Sequence, residues 1–304
     1  MNIRTPDYSL GRFFVSPILG CTARCSFCYI FSNDYNGGPL INSFDSKPSL
    51  EWIYRHEHFR QGRAGSIISI GAWGDPFPRG KHDLHKVSVE WLNTMCKTGN
   101  PIQIMSRFQL TEQVIEDVTS SETYPGQILF STSLSTLKKW KVFERGSDHP
   151  ALRLQMLQRF SAKGIHVNVM IKPVIPGVTD SEANEIADAI AVAGIKYCVV
   201  GSLHWDQHIY ESLSKVKDDS VDPLLQKIQN ESHKQLMDCT TETTMNAFPY
   251  SSLDITFHAL KERGLTVFKK SACVNSHILN EKNAVLLYET AFENFCVRCG
   301  VCKP

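Results

Sequence analysis

From Arg12 to Trp205, short and strongly apolar runs alternate with longer stretches of helical periodicity. "RFFVSPIL" (Arg12 to Leu19) and "GSIISIG" (Gly65 to Gly71) are too short for helices and rich in β-branched or aromatic residues, so each reads as a buried strand. "DLHKVSVEWLNTMCKTG" carries a helical stripe that Gly99 ends, and the strand "PIQIMSRF" follows it. "TEQVIEDVTSS", capped by Thr111, leads to the strand "GQILFSTSL". "ALRLQMLQRFSAKGI" with "HVNVMIKPVIPG", then "SEANEIADAIAVAGI" with "KYCVVGSL", repeat the unit. Such alternation predicts an α/β protein with a parallel sheet and helices on its outer face. The sheet is expected to roll into all or part of a barrel, with chemistry at the carboxyl ends of the strands.

The pattern changes after Trp205. Residues 206–250 hold polar segments such as "KVKDDSVD" and "QNESHKQ", which read as surface helices or a lid. "SLDITFHALKERGL" restores helical periodicity, and "TVFKKSAC" reads as a strand. No Gly/Ser/Pro-rich linker divides the chain, so the expectation is a core over residues 1–205 with an extension, residues 206–304, packed onto it. The 304 residues suffice for a sizeable buried core. Lys and Arg number 32 against 31 Asp and Glu, so no global charge would hold a polyanion, although a local patch would suffice. The N-terminus lacks an apolar run behind basic residues and no segment approaches a membrane span. A cytoplasmic protein without a membrane partner is expected.

Cysteine then changes the picture. Ten cysteines in a reducing compartment are thiols or metal ligands, and their clustering favours ligands. Cys21, Cys25 and Cys28 fall in "GCTARCSFCYI", directly after the first predicted strand, while Cys296, Cys299 and Cys302 fall in "CVRCGVCKP". Three ligands from one loop are one fewer than a closed zinc site or a fully protein-held iron–sulfur cluster takes. Thiols packed in a loop, or zinc with a distant fourth ligand, are the plainer readings. A four-iron cluster on three cysteines leaves one iron open, as a catalytic metal site requires.

Spacing and neighbours together resemble the radical S-adenosylmethionine superfamily, and within it the spore photoproduct lyase-like branch, over residues 12–205. The resemblance implies a partial parallel (β/α)6 barrel of the radical SAM type with an auxiliary-cluster extension. It also implies a 4Fe-4S cluster on Cys21, Cys25 and Cys28, with Phe27 before the third cysteine, and S-adenosylmethionine chelated to the open iron. In that family one electron from the cluster breaks the sulfonium bond, and a 5′-deoxyadenosyl radical abstracts hydrogen from the substrate. On the same resemblance, Asp75 in "WGDPFP" lies near the methionine end of the cofactor. Arg107 in "MSRF" serves the methionine carboxylate, which a guanidinium can grip with two parallel hydrogen bonds, and Ser106 beside it is a further cofactor-binding residue. Ser131 and Ser133 in "FSTSL" meet the ribose hydroxyls, and Lys172 and Ile175 in "VMIKPVIPGVTD" lie nearest the adenine. Singly, Asp75 reads as well as a turn cap, Ser133 as core and Lys172 as a solvated charge. All fall at strand carboxyl ends, in order. A flavodoxin or ferredoxin is the implied electron donor.

The tail resembles the first part of the bacterial ferredoxin run that ends in Cys-Pro, but Lys303 separates Cys302 from Pro304. A fourth ligand has to come from elsewhere. Cys273, at the end of the predicted strand "TVFKKSAC", completes an auxiliary 4Fe-4S set with Cys296, Cys299 and Cys302; zinc on the same thiols competes. Spore photoproduct lyases proper lack this tail as far as the resemblance goes, a departure that points away from their DNA substrate. The expected reaction is hydrogen abstraction from a small nucleoside or modified base by an enzyme of the lyase type, a queuine lyase salvage reaction being one example. Repair of a DNA lesion is an alternative. So is a non-catalytic Fe–S or zinc-binding electron-transfer protein, which leaves the strand-end residues without a purpose. Trp205, Asp206 and His208 in "SLHWDQHIY" would stack on and hydrogen-bond a base-like substrate, or simply line a surface loop. His56, His58, His82 and His85 read as surface residues. Cys96 and Cys198 read as core thiols, although a thiol near the barrel mouth could return a hydrogen atom to a product radical.

Overall fold

A computed structural model describes residues 3–9, 12–33, 38–230, 235–236, 245–247 and 251–281. β1 (Asp7–Ser9) pairs antiparallel with β2 (Arg12–Val15), and a hairpin of β3 (Ile18–Leu19) with β4 (Leu40–Ile41) brackets the first cysteine loop. After α1 (Ser46–Arg55) come β5 (Ile67–Ile70), α2 (His82–Cys96), β6 (Ile102–Met105), α3 (Glu112–Ser120) and β7 (Ile128–Ser133). The single turn α4 (Trp140–Phe143) precedes α5 (Pro150–Ala162), β8 (His166–Val174), α6 (Ala183–Val192) and β9 (Tyr197–Ser202). Then follow β10 (His204–Trp205), α7 (Gln207–Ser214), α8 (Val221–Asn230), β11 (Gln235–Leu236) and β12 (Met245–Ala247). α9 (Ser251–Glu262), β13 (Thr266–Phe268) and α10 (Ser271–Leu279) complete the described elements, among which no helix is long and apolar enough to cross a membrane.

The main sheet runs β1-β2-β5-β6-β7-β8-β9-β13, parallel throughout except for β1. Local chemistry supports each unit: the Thr111 hydroxyl accepts from Val114 N at 3.3 Å to cap α3, and Pro150 opens α5, where no N–H is needed. Alternate strand residues such as Ile68, Ile104, Phe130 and Val169 face Trp91, Ile115, Leu157 and Ile186 of the covering helices in one core. Cys96 and Cys198 belong to that outer layer, so both are core thiols and Cys198 faces away from the mouth.

The opposite strand positions face inward, where α10 packs. Ala272, Cys273 and Val274 meet Ile67, Leu129, Val199 and Phe268, and Gln103 donates to Asn275 Oδ1 at 2.6 Å. Arg12, near one edge of the sheet, donates to Ser271 Oγ at 3.0 Å, just past the strand at the other edge, so the sheet is rolled into a partial barrel. Its last strand therefore comes from residues 266–268, beyond residue 205.

Two readings need correction here. "TVFKKSAC" is a strand only over Thr266–Phe268, and Cys273 lies in the first turn of α10. That helix is buried nearly all round, so it shows no amphipathic stripe. His85 is 5% exposed rather than a surface residue, with Nε2 at 2.9 Å from Pro78 O.

Candidate active site at the barrel mouth

The loop carrying Cys21, Cys25 and Cys28 is fixed by backbone contacts that two glycines permit. Gly20, at φ +86°, donates to Trp73 O at 2.8 Å and bridges Gly74. A Cβ at Gly74 would lie 2.4 Å from Ile18 O, and one at Gly146 would lie 2.4 Å from Thr22 O, so only glycine allows either approach. Gly146 N donates to Ala23 O at 2.7 Å, and Ser26 N to Phe143 O at 2.9 Å. The loop is thereby clamped between the turn after β5 and the segment after α4. Cys21 and Cys25 are 7% and 6% exposed, and Cys28 is half-buried. They pack in one apolar cluster with Phe27, Phe143, Ile175 and Leu203, which α7 and α8 close with Ile209, Leu213 and Leu224.

A polar network lies against this loop. Asp75 Oδ1 accepts from Phe77 N at 2.9 Å and from Ser106 Oγ at 2.8 Å, and its Oδ2 accepts from Arg107 N at 2.9 Å. Burial outweighs these donors and lifts the Asp75 carboxyl to about 6. Arg107 Nη1 donates to Glu144 Oε1 at 2.6 Å, its Nη2 to Ser133 Oγ at 2.8 Å, and its guanidinium lies 5.5 Å from the Phe27 ring centre. The fork expected to receive the methionine carboxylate is thus already engaged by protein groups. Arg153, fully buried, donates to Glu144 Oε2 and to Ser133 O. Burial works to raise the Glu144 carboxyl, but Arg153 and Arg107 overcome it and hold it below the usual carboxylate range. Glu144 was not singled out in the sequence, where "VFERG" carries no sign that its acid is buried.

The donor set fits an iron–sulfur centre. Burial pushes the Cys25 thiol up to about 12 and those of Cys21 and Cys28 upward too, so the thiolates that bind metal need added positive charge. Two guanidiniums against one carboxylate leave a net positive charge nearby, and Arg107 and Arg153 both favour the Cys25 thiolate. Among the described residues no three His, Cys, Asp or Glu side chains gather closely enough to hold a metal ion.

The remaining expected residues divide. Ser131 Oγ donates to Asn168 Oδ1 inside the barrel, and Ser133 Oγ donates to Lys172 O at 2.9 Å. The Lys172 stem lies along Gly201, where a Cβ would come within 2.9 Å of its Cδ, and Ile175 is fully buried. Trp205 packs partly buried against the cysteine cluster. Asp206 instead caps α7, accepting from Ile209 N at 2.8 Å, and His208 is exposed. Cys273 lies in the inner apolar layer with Ile67, Leu129, Val199 and Phe268, whereas Cys296, Cys299 and Cys302 lie outside the described residues.

No protein-family model matches the chain. Over 204 residues it is 24% identical to Uncharacterized protein Rv2578c of Mycobacterium tuberculosis (strain ATCC 25618 / H37Rv), covering 64% of this chain and 59% of the relative. The chain thus spans about three fifths (59%) of the length of the curated relatives it matches. A spore photoproduct lyase point variant superposes with a TM-score of 0.65 at 11% identity, over 84% of this chain and 75% of that one. Another variant, with bound AdoMet and dinucleoside spore photoproduct, gives 0.64 at 11% identity over the same shares, 84% and 75%. The fold is that of spore photoproduct lyase, as the sequence resemblance implied.

Proposed function

We propose that the chain is a radical S-adenosylmethionine enzyme. The observation that carries this reading is the clamped loop with Cys21 and Cys25 buried and Cys28 half-buried at the carboxyl ends of a parallel barrel, backed by the Arg107–Glu144–Arg153 network. Cys21, Cys25 and Cys28 hold a 4Fe-4S cluster, which with bound S-adenosylmethionine supplies one-electron cleavage of a sulfonium and a 5′-deoxyadenosyl radical. Asp75 orders Ser106 and the backbone of Arg107. Arg107 keeps Glu144 and exchanges its neutral partner, Ser133, for the cofactor carboxylate, the exchange that costs least electrostatically. Ser131, Lys172 and Ile175 face the nucleoside half, and Phe27 with the apolar cluster excludes water from the loop. The substrate is a nucleoside or modified base stacked on Trp205, a reading supported by fold relatives that hold a dinucleoside. The same relatives favour a second reading, repair of a DNA lesion. A second 4Fe-4S cluster on Cys273, Cys296, Cys299 and Cys302 would, with all four ligands from the protein, brace or relay rather than bind substrate.

Anaerobic reconstitution tests this directly. The protein is expected to carry about eight irons and to make 5′-deoxyadenosine when reduced. Cys21, Cys25 and Cys28 changed together to Ala should lose about half that iron and all cleavage. Cleavage that survives in the triple variant would end the reading, and zinc at the second site would end the auxiliary one. Consumption of nucleosides against ultraviolet-treated DNA separates the two substrates.

A further inference from the structure

The inside of the barrel holds two amide side chains whose N–H donors are unpartnered. Ile102, Ile104, Phe130, Val167, Val169 and Ile171 face the outer core, so by strand alternation Gln103, Ser131, Asn168 and Met170 face inward. Asn168, on β8, and Asn275, on α10, have no exposed surface. Neither Nδ2 has a hydrogen-bond partner, and among the described residues no other buried primary amide is left in this state. Burying an amide donor costs free energy unless something accepts from it, so two on one interior point to an acceptor that the chain itself does not supply.

Both amides are held by their oxygens. Ser131 Oγ donates to Asn168 Oδ1 from the neighbouring strand. Because Oδ1 and Nδ2 lie on opposite sides of Cγ, the Asn168 N–H groups turn from Ser131 toward β9, where Tyr197 is its register partner. In a second chain of bonds Ser69 and Ser271 donate to Gln103 Oε1 at 3.0 and 3.2 Å, and Gln103 Nε2 donates to Asn275 Oδ1 at 2.6 Å, which leaves Asn275 Nδ2 over. The two chains border one layer: Met170 and Tyr197, on either side of Asn168, pack with Ala272, Cys273 and Val274 of α10. Asn168 stands two residues, roughly 7 Å along the strand, below Met170, whose register partner is Ser133 of the mouth network. The amides thus lie beneath the mouth, on the floor that α10 makes. None of the side chains bonded to them is charged, so a phosphate would find no counter-charge among them.

We infer that Asn168 and Asn275 hold the sugar hydroxyls of an unphosphorylated nucleoside, an inference that rests on the proposed stacking of the substrate base on Trp205. Trp205 packs at the mouth beside the cysteine cluster, so a base held there leaves the sugar as the end that reaches inward. Each amide offers N–H donors and a second lone pair on its oxygen. A hydroxyl both accepts and donates, so it uses both, whereas a carbonyl would use the donors alone. The two residues determine specificity and take no part in bond breaking: they distinguish a nucleoside with its hydroxyls from one without them, and a neutral substrate from a phosphorylated one.

The test is equilibrium dialysis of three probes, inosine, 2′,3′-dideoxyinosine and inosine 5′-monophosphate, against holoenzyme loaded with S-adenosylmethionine. Wild type should bind inosine about tenfold more tightly than either of the others. Asn168→Asp keeps an acceptor for Ser131 and removes the N–H groups, and Asn275→Asp does the same for Gln103. Each should weaken inosine about tenfold and move dideoxyinosine by less than about twofold, so that the preference disappears. A merely structural role would weaken both nucleosides alike, and that result overturns the inference, as a buried water on the amides would explain it. Absence of the preference in wild type, which needs no variant to fold, overturns it too, as does tightest binding of the monophosphate or no binding of any probe. Failure of wild type to form 5′-deoxyadenosine with dithionite would strike the radical-enzyme reading instead, and the dialysis, which needs no turnover, would still decide the floor.

Discussion

Glu144 has no exposed surface and two guanidinium neighbours, so removing its charge leaves the fully buried Arg153 facing the partly buried Arg107 with no carboxylate between them. Glu144→Gln is expected to cost about 3–5 kcal/mol, the range for breaking a buried ion pair by deleting one partner, measured by urea unfolding. A loss below about 1 kcal/mol would mean that the pair is screened as surface pairs are. His85 makes a prediction of opposite chemistry. Burial lowers its affinity for a proton below the unfolded value of 6.5, so the unfolded chain binds more protons and stability falls as pH drops below that value. Melting temperature should therefore decline from about pH 7 to about pH 5, and His85→Gln should flatten that decline. Equal slopes in the two proteins would assign it to another group.

At the scale of elements, the cysteine loop depends on what its neighbours leave out. The Cβ of Gly146→Ala would sit 2.4 Å from Thr22 O, so the loop or the segment after α4 has to move. Because the clash touches the loop and not the sheet, iron per chain should fall by about half on reconstitution while the far-ultraviolet circular dichroism stays near wild type. Unchanged iron would mean that the loop tolerates the shift. α10 carries a second prediction, for Cys273→Ala. Its thiol is 3% exposed among Ile67, Leu129, Val199 and Phe268, so the change should cost about 1 kcal/mol in packing. If that thiol also ligates the proposed auxiliary cluster, total iron should drop from about eight to about four with cofactor cleavage retained, and full iron would leave it as packing only.

For the whole molecule, closure of the sheet depends on residues far down the chain. β13 covers the edge of β9, and α10 covers the inner layer formed by Ile67, Leu129 and Val199. A chain ended at residue 205 would expose that strand edge and that apolar layer together. It should express as aggregate or as a loosely packed species without a cooperative unfolding transition. A sharp transition in the shortened chain would show that the earlier strands close without their cover.

What the sequence determined by itself is the part that neighbours in the chain decide. The period of apolar residues set the strands from β5 to β9 and the helices between them, Thr111 and Pro150 marked two helix starts, and the cysteine spacing marked the loop. "SACVNSHIL" gave no such signal, because a helix buried nearly all round has no polar face to contrast with its apolar one. The tertiary structure alone decided which polar residues are buried and with whom. Arg107 and Glu144 stand 37 positions apart and Gln103 and Asn275 172 apart, while Asp206, a plausible base contact in the sequence, is committed to the start of α7. An arginine or aspartate looks the same in the chain whether it faces water or a partner. Only the rolled sheet, by bringing its edges and α10 together, removes the water and makes the partner obligatory.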